Sequence, residues 1–145
     1  MLIIGCGNRQ RGDDAAGILV AERLHAHRIH AETCSGGVAQ LMDLWADSDD
    51  VIVIDAVVTG APVGAVRVWD GHRRLDYGTS SGSTHGLGVG EAVELARALD
   101  RLPARLRVFG IEGKRFEIAS AMSPEVESAV AEVAKQIAHE VNEQR

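Results

Sequence analysis

Two adjacent aspartates, Asp13 and Asp14, close a glycine-rich stretch, Gly5-Cys6-Gly7-Asn8-Arg9-Gln10-Arg11-Gly12, where a helix is expected to begin. A helix N-terminus attracts anions, so carboxylates placed there are either plain caps or hold something positive. Asp55 follows the continuous apolar run Val51-Ile52-Val53-Ile54, and His85 ends a long polar stretch. Two carboxylates and an imidazole make a three-ligand set with open positions, suited to nickel, zinc or another divalent transition metal; magnesium prefers oxygen alone. Each residue also has a structural reading: Asp13 as N-cap, Asp55 bonding loop amides, His85 as a loop residue. Cys6 in the glycine loop is a candidate nucleophile, but a small buried thiol is the commoner case. No G-x-S-x-G elbow and no H-E-x-x-H helix is present, which removes two common hydrolase templates.

The elements that must position these residues follow from periodicity. Met1-Leu2-Ile3-Ile4 reads as a buried strand, and Ala16, Leu19, Val20 and Leu24 fall at helical spacing after it. A second strand is expected over Ile29 to Thr33, then a helix carrying Val38, Leu41, Met42 and Trp45. Val51 to Ile54 is apolar and β-branched throughout, as a central strand covered on both faces should be, and ends at Asp55. A strand over Val63 to Trp69 follows after so short a connection that an antiparallel pair is expected. Val89, Ala92, Val93, Ala96 and Leu99 mark a third helix, Leu106 to Ile111 a last strand, and Ser123-Pro124-Glu125 a strong helix start. This alternation predicts a three-layer α/β/α sandwich around a mixed, mainly parallel sheet of about five strands, in one domain over 1–145. If the first and third strands are parallel neighbours, Asp14 and Asp55 share one sheet edge, where open α/β folds place chemistry.

Composition narrows the function. The chain has 145 residues, 46% of them hydrophobic but only 3% aromatic, so its core is aliphatic. A net charge of −6 with no long basic cluster argues against nucleic acid, and no apolar run approaches the roughly 20 residues of a membrane span. With no signal-like N-terminal segment and two cysteines, Cys6 and Cys34, outside any metal spacing, a cytoplasmic protein with reduced thiols is expected.

Gly5-Cys6-Gly7-Asn8, Asp13-Asp14 and Gly17 resemble the opening motif of the hydrogenase maturation proteases. Gly36-Gly37, Val51 to Ala56, Ser83-Thr84-His85-Gly86-Leu87-Gly88, Phe109-Gly110-Ile111-Glu112 and Ser123-Pro124-Glu125-Val126 resemble the later blocks of that family, in order. The resemblance implies an endopeptidase that recognises nickel already installed in a hydrogenase large-subunit precursor and removes its C-terminal extension. It also implies that Asp14, Asp55 and His85 contact the metal, with Asp14 or Asp55 a candidate general base. Gly7 and Asn8 are then expected beside the substrate chain. Two places depart from the family pattern: the opening loop, where Ala15 replaces the glycine common after the aspartate pair and Arg9-Gln10-Arg11 is unusually basic and polar, and Gly113-Lys114-Arg115-Phe116, which lacks the proline often found after Glu112. The rival readings are a non-catalytic, metal-dependent assembly factor and a nucleotide- or phosphate-binding α/β domain. Gly5, Gly7 and Glu32 suit the latter, but Gln10 stands at the third glycine position and the aspartate pair would repel a pyrophosphate.

Overall fold

In a computed structural model, residues 1–73 and 88–144 are described. Their order is β1 (Leu2–Cys6), a 3-10 turn (Gly12–Ala15), α1 (Ala16–Ala26), β2 (Glu32–Cys34), α2 (Val38–Trp45), β3 (Asp50–Val57), β4 (Val66–Asp70), α3 (Val89–Ala98), β5 (Arg105–Glu112) and α4 (Pro124–Glu143). The five strands form one mixed sheet in the order β2-β1-β3-β5-β4, and every pairing is parallel except β4 with β5. This is the expected α/β/α architecture.

The side-chain period of two in a strand divides the core. Ile52 and Ile54 of β3, with Ile3, Phe109 and Ile111, pack under α1 and α4 against Val20, Leu24, Val130 and Ile137. Val51 and Val53, with Ile4, Cys6 and Val108, face α2 and α3, meeting Leu41, Trp45 and Val93. Both faces of β1, β3 and β5 are therefore covered, which is why these strands read as unbroken apolar runs. Full burial of each such aliphatic side chain contributes about 1.5–3 kcal/mol.

Three sequence expectations need correction. β3 does not end at Asp55 but runs to Val57, because Asp55, Ala56 and Val57 keep their ladder with Gly110, Ile111 and Glu112. β4 is antiparallel as expected, yet it pairs with β5 and not with β3. β5 is apolar on both faces and takes the inner place, while β4, with Val66 and Val68 37% and 49% exposed, serves as an edge. The 58–65 connection reaches over the end of β5, tied by Gly64 N–H to Glu112 O (2.8 Å) and by Glu112 N–H to Ala65 O (2.8 Å). Finally, the second strand is only Glu32–Cys34, shorter and later than the apolar pattern suggests.

Helix direction decides what reaches the carboxyl end of the inner strands. Arg97, near the C-terminus of α3, donates from Nη2 to Gly71 O (2.8 Å) and Arg73 O (3.1 Å), just beyond β4. Since β4 runs against the others, that is the sheet edge where β1, β3 and β5 begin. A ten-residue helix spans about 15 Å, so Gly88 and Val89 lie toward the opposite edge, where Asp55 is.

Candidate active site

The loop after β1 is built by close backbone approach. A Cβ on Gly17 would run into the backbone oxygens of Ile54 and Cys6, so only glycine lets α1 sit directly on β1 and β3. Gly7 has φ +141°, and a Cβ there would strike Asp14 O. Gly7 N–H donates to Cys34 O (3.1 Å) and Asn8 N–H to Asp14 O (3.1 Å). The Asn8 side chain accepts from Gln10 N–H (2.9 Å), an Asx turn that folds the loop on itself. Gly7 and Asn8 thus shape the loop that delivers Asp14.

Asp13 is not the cap of the first helix. The 3-10 turn and α1 both lack a side-chain cap, with Arg11 and Ala15 in the N-cap positions. Asp13 is instead fully buried and reaches across the molecule to residues 113–123. Its Oδ2 accepts from Lys114 N–H (2.8 Å), Arg115 N–H (2.9 Å) and Ser123 Oγ–H (2.8 Å), and its Oδ1 from Ser123 N–H (2.7 Å). Burial pushes this carboxyl up, but the four donors outweigh it and hold Asp13 below the ordinary carboxylate range. Ser123 is the N-cap of α4 by position, as expected, but its hydroxyl serves Asp13 and only its carbonyl accepts from Val126 and Glu127 N–H.

Asp14 and Asp55 are brought together as expected. Register pairs Gly5 with Ile54, so the ends of β1 and β3 lie side by side. Asp55 is 6% exposed, whereas Asp14 is half-buried on the loop above. Burial, and then the neighbouring Asp14 carboxylate, push Asp55 well above the usual range; one N–H, from Ala56, opposes them. A buried carboxyl destabilised by a like charge is a site that a cation would relieve. Among the described residues no three His, Cys, Asp or Glu are grouped to hold a metal. His85, expected as the third ligand, lies outside the described residues.

Two further features, the pairing of the two cysteines and the role of Glu112, escaped the sequence reading. Cys6 and Cys34 are buried register partners on β1 and β2, both free thiols. Donation of its S–H to Cys34, then burial, then the charge of Asp55 push Cys6 up, while acceptance of that bond lowers Cys34 to about 7. Glu112, 3% exposed, accepts from Thr59 N–H (2.9 Å) and Thr59 Oγ–H (2.7 Å), fixing the loop after β3. Beyond the family-like block it closes, its sequence signal is a charged residue after an apolar run, the same signal that marks Asp55.

A parallel-centred α/β sheet with paired carboxylates at the carboxyl edge of its inner strands defines an α/β protein of the crevice type. The family model for HycI, hydrogenase maturation protease, matches residues 18–140, and the chain belongs to that family of peptidases. Among solved structures, the chain is similar to the hydrogenase maturating endopeptidase HybD from Escherichia coli: 21% identity, TM-score 0.75, covering 99% of this chain and 92% of that one. It is also similar to two [NiFe] hydrogenase maturation proteases of Thermococcus kodakarensis. HybD has 21% identity, TM-score 0.71 and coverage of 97% of each chain; HycI has 25%, 0.70, and 95% and 89%. A search of curated proteins found no match. Among the described residues no helix is long and apolar enough to cross a membrane.

Proposed function

We propose that this peptidase removes the C-terminal extension of a nickel–iron hydrogenase large-subunit precursor, meeting the nickel carried by that substrate with Asp14, Asp55 and His85. The observation that carries this reading is the Asp14–Asp55 pair, in which burial, and then the charge of Asp14, push the Asp55 carboxyl above its usual range. Two carboxylates of this kind suit a divalent cation delivered from outside better than they suit an empty pocket. His85 is three residues along the chain from Gly88, a reach of at most about 11 Å, and Gly88 opens the helix whose N-terminus points to the carboxylate edge. The family membership supports the same substrate class.

In this reading the substrate's nickel supplies Lewis acidity beside the scissile carbonyl. The chain's own work is to orient the precursor and to move a proton. Either carboxylate is a candidate general base: Asp55 is nearly buried, and Asp14, half-buried, is the one solvent and substrate meet first. Residues 1–145 act as one unit, and the free buried thiols suit a reducing, cytoplasmic setting. The test is incubation with a nickel-loaded precursor, read by intact mass. Loss of the tail with the wild type and none with Asp14→Asn or His85→Ala is expected. An unchanged mass with wild type, at verified nickel occupancy, would leave a binding-only assembly role.

A further inference from the structure

The loop 8–12 and the segment 113–123 form one continuous rim beside Asp14. Asp13 N–H donates to Arg115 O (2.7 Å), Ala119 N–H to Gln10 O (2.7 Å), and Arg11 Nε to Phe116 O (2.9 Å). The buried Asp13 carboxylate clamps the same segment through Lys114, Arg115 and Ser123. Gly12, at φ +55°, fits because it has no Cβ, which would run into Ser120 Oγ and Arg115 O. The rim is therefore preorganised, so a ligand that docks on it does not have to order it.

Its charge runs against that of the molecule. In a chain of net charge −6, four of the 15 Lys and Arg residues, Arg9, Arg11, Lys114 and Arg115, stand here. Arg9 is paired with Glu22 and Arg11 is tied to Phe116 O. The side chains of Lys114 and Arg115 are exposed, and no described residue engages either charge; only their backbones are used, by Asp13. Glu117 is the one exposed acidic residue between 113 and 123. Ile118, 77% exposed, is the most exposed of the large apolar side chains among the described residues, and it stands three residues from Arg115. Fixed cations beside an apolar side chain fit an acidic segment that also carries an apolar residue.

We infer that Arg11, Lys114, Arg115 and Ile118 form a docking rim for an acidic stretch of the substrate polypeptide close to the scissile bond. The inference rests on the proposed peptidase reading for the identity of that polypeptide, but its binding chemistry can be tested alone. The probe is a fluorescein-labelled peptide of about a dozen Glu, Leu and Ser residues, with a counterpart carrying Lys for each Glu. At low salt the Glu peptide should bind the full chain at least about tenfold tighter than the Lys peptide, and high salt should remove the difference. The double variant Lys114→Glu/Arg115→Glu should lose about tenfold in affinity for the Glu peptide while melting at the wild-type temperature, since only its backbone amides are structural. With a cleavable precursor, the same variant should raise KM and leave kcat in place. Equal binding of both peptides, unchanged binding by the double variant, or tighter binding of a single-stranded RNA than of the Glu peptide would each overturn the inference. A precursor that is bound but never cut by wild type would instead overturn the peptidase reading.

Discussion

Asp13 and Asp55 are both buried carboxylates at the same end of the molecule, yet their surroundings treat charge in opposite ways. Asp13 accepts four hydrogen bonds from residues 114–123 and is held below the usual carboxylate range. Asp55 has one backbone donor among the described residues, Ala56; burial and then its like-charged neighbour Asp14 push it up. Glu112 resembles Asp13, with its charge met by the Thr59 amide and hydroxyl. A compensated carboxylate holds the fold together, whereas an uncompensated one is the kind of group the proposed cation-binding role requires. Sequence adjacency is no guide to the difference: Asp14, next to Asp13, belongs with Asp55.

The comparison can be broken most directly at Asp13. Asp13→Ala leaves three amides and a hydroxyl without their acceptor and should cost about 4 kcal/mol in urea unfolding, at roughly 1–3 kcal/mol per stranded buried group after partial relaxation. A loss under about 1 kcal/mol would show that Asp13 is not the clamp.

Asp55→Asn should do the reverse: processing of a nickel-loaded precursor falls at least about 100-fold, equivalent to about 2.7 kcal/mol of barrier, while stability at neutral pH is kept or improved. The sign follows from its raised value, because whatever Asp55 contributes to stability is present when it is protonated and is lost as pH rises through that value. Processing by Asp55→Asn at the wild-type rate would remove it from the site.

The pH dependence sharpens the contrast. The lowered value of Asp13 means that its stabilisation is present above the ordinary carboxylate range and declines as the folded-state group protonates. The stability gap between wild type and Asp13→Asn should therefore shrink as pH falls below about 4, as followed by thermal melts across an acid series. The smallest effect is expected at Glu112. Thr59→Val removes one hydroxyl donor, keeps the amide, and should cost about 1 kcal/mol in the same urea assay.

Much of this was legible from residue order. The continuous runs in β3 and β5, the helical spacing of Val89 to Ala96 and the Ser123-Pro124-Glu125 start placed the inner strands and the last two helices well. These signals are local, arising from one face or both faces being apolar, and local signals survive in a sequence. β4 was misplaced because strand partnership depends on which run is apolar enough for the interior, a competition between segments distant in sequence. The cap assigned to Asp13 failed for a related reason: its partners lie 101 to 110 residues away, beyond any local motif.

The sequence by itself therefore determined the α/β alternation, the carboxylates and the loop that offers them, because hydrophobic period and glycine placement act over a few residues. Tertiary structure alone decided which carboxylate is compensated. The parallel register of β1 with β3 sets Asp14 against Asp55, and the return of residues 113–123 surrounds Asp13 with donors. Charge compensation is a property of neighbours in space, and those neighbours exist only once the sheet has closed.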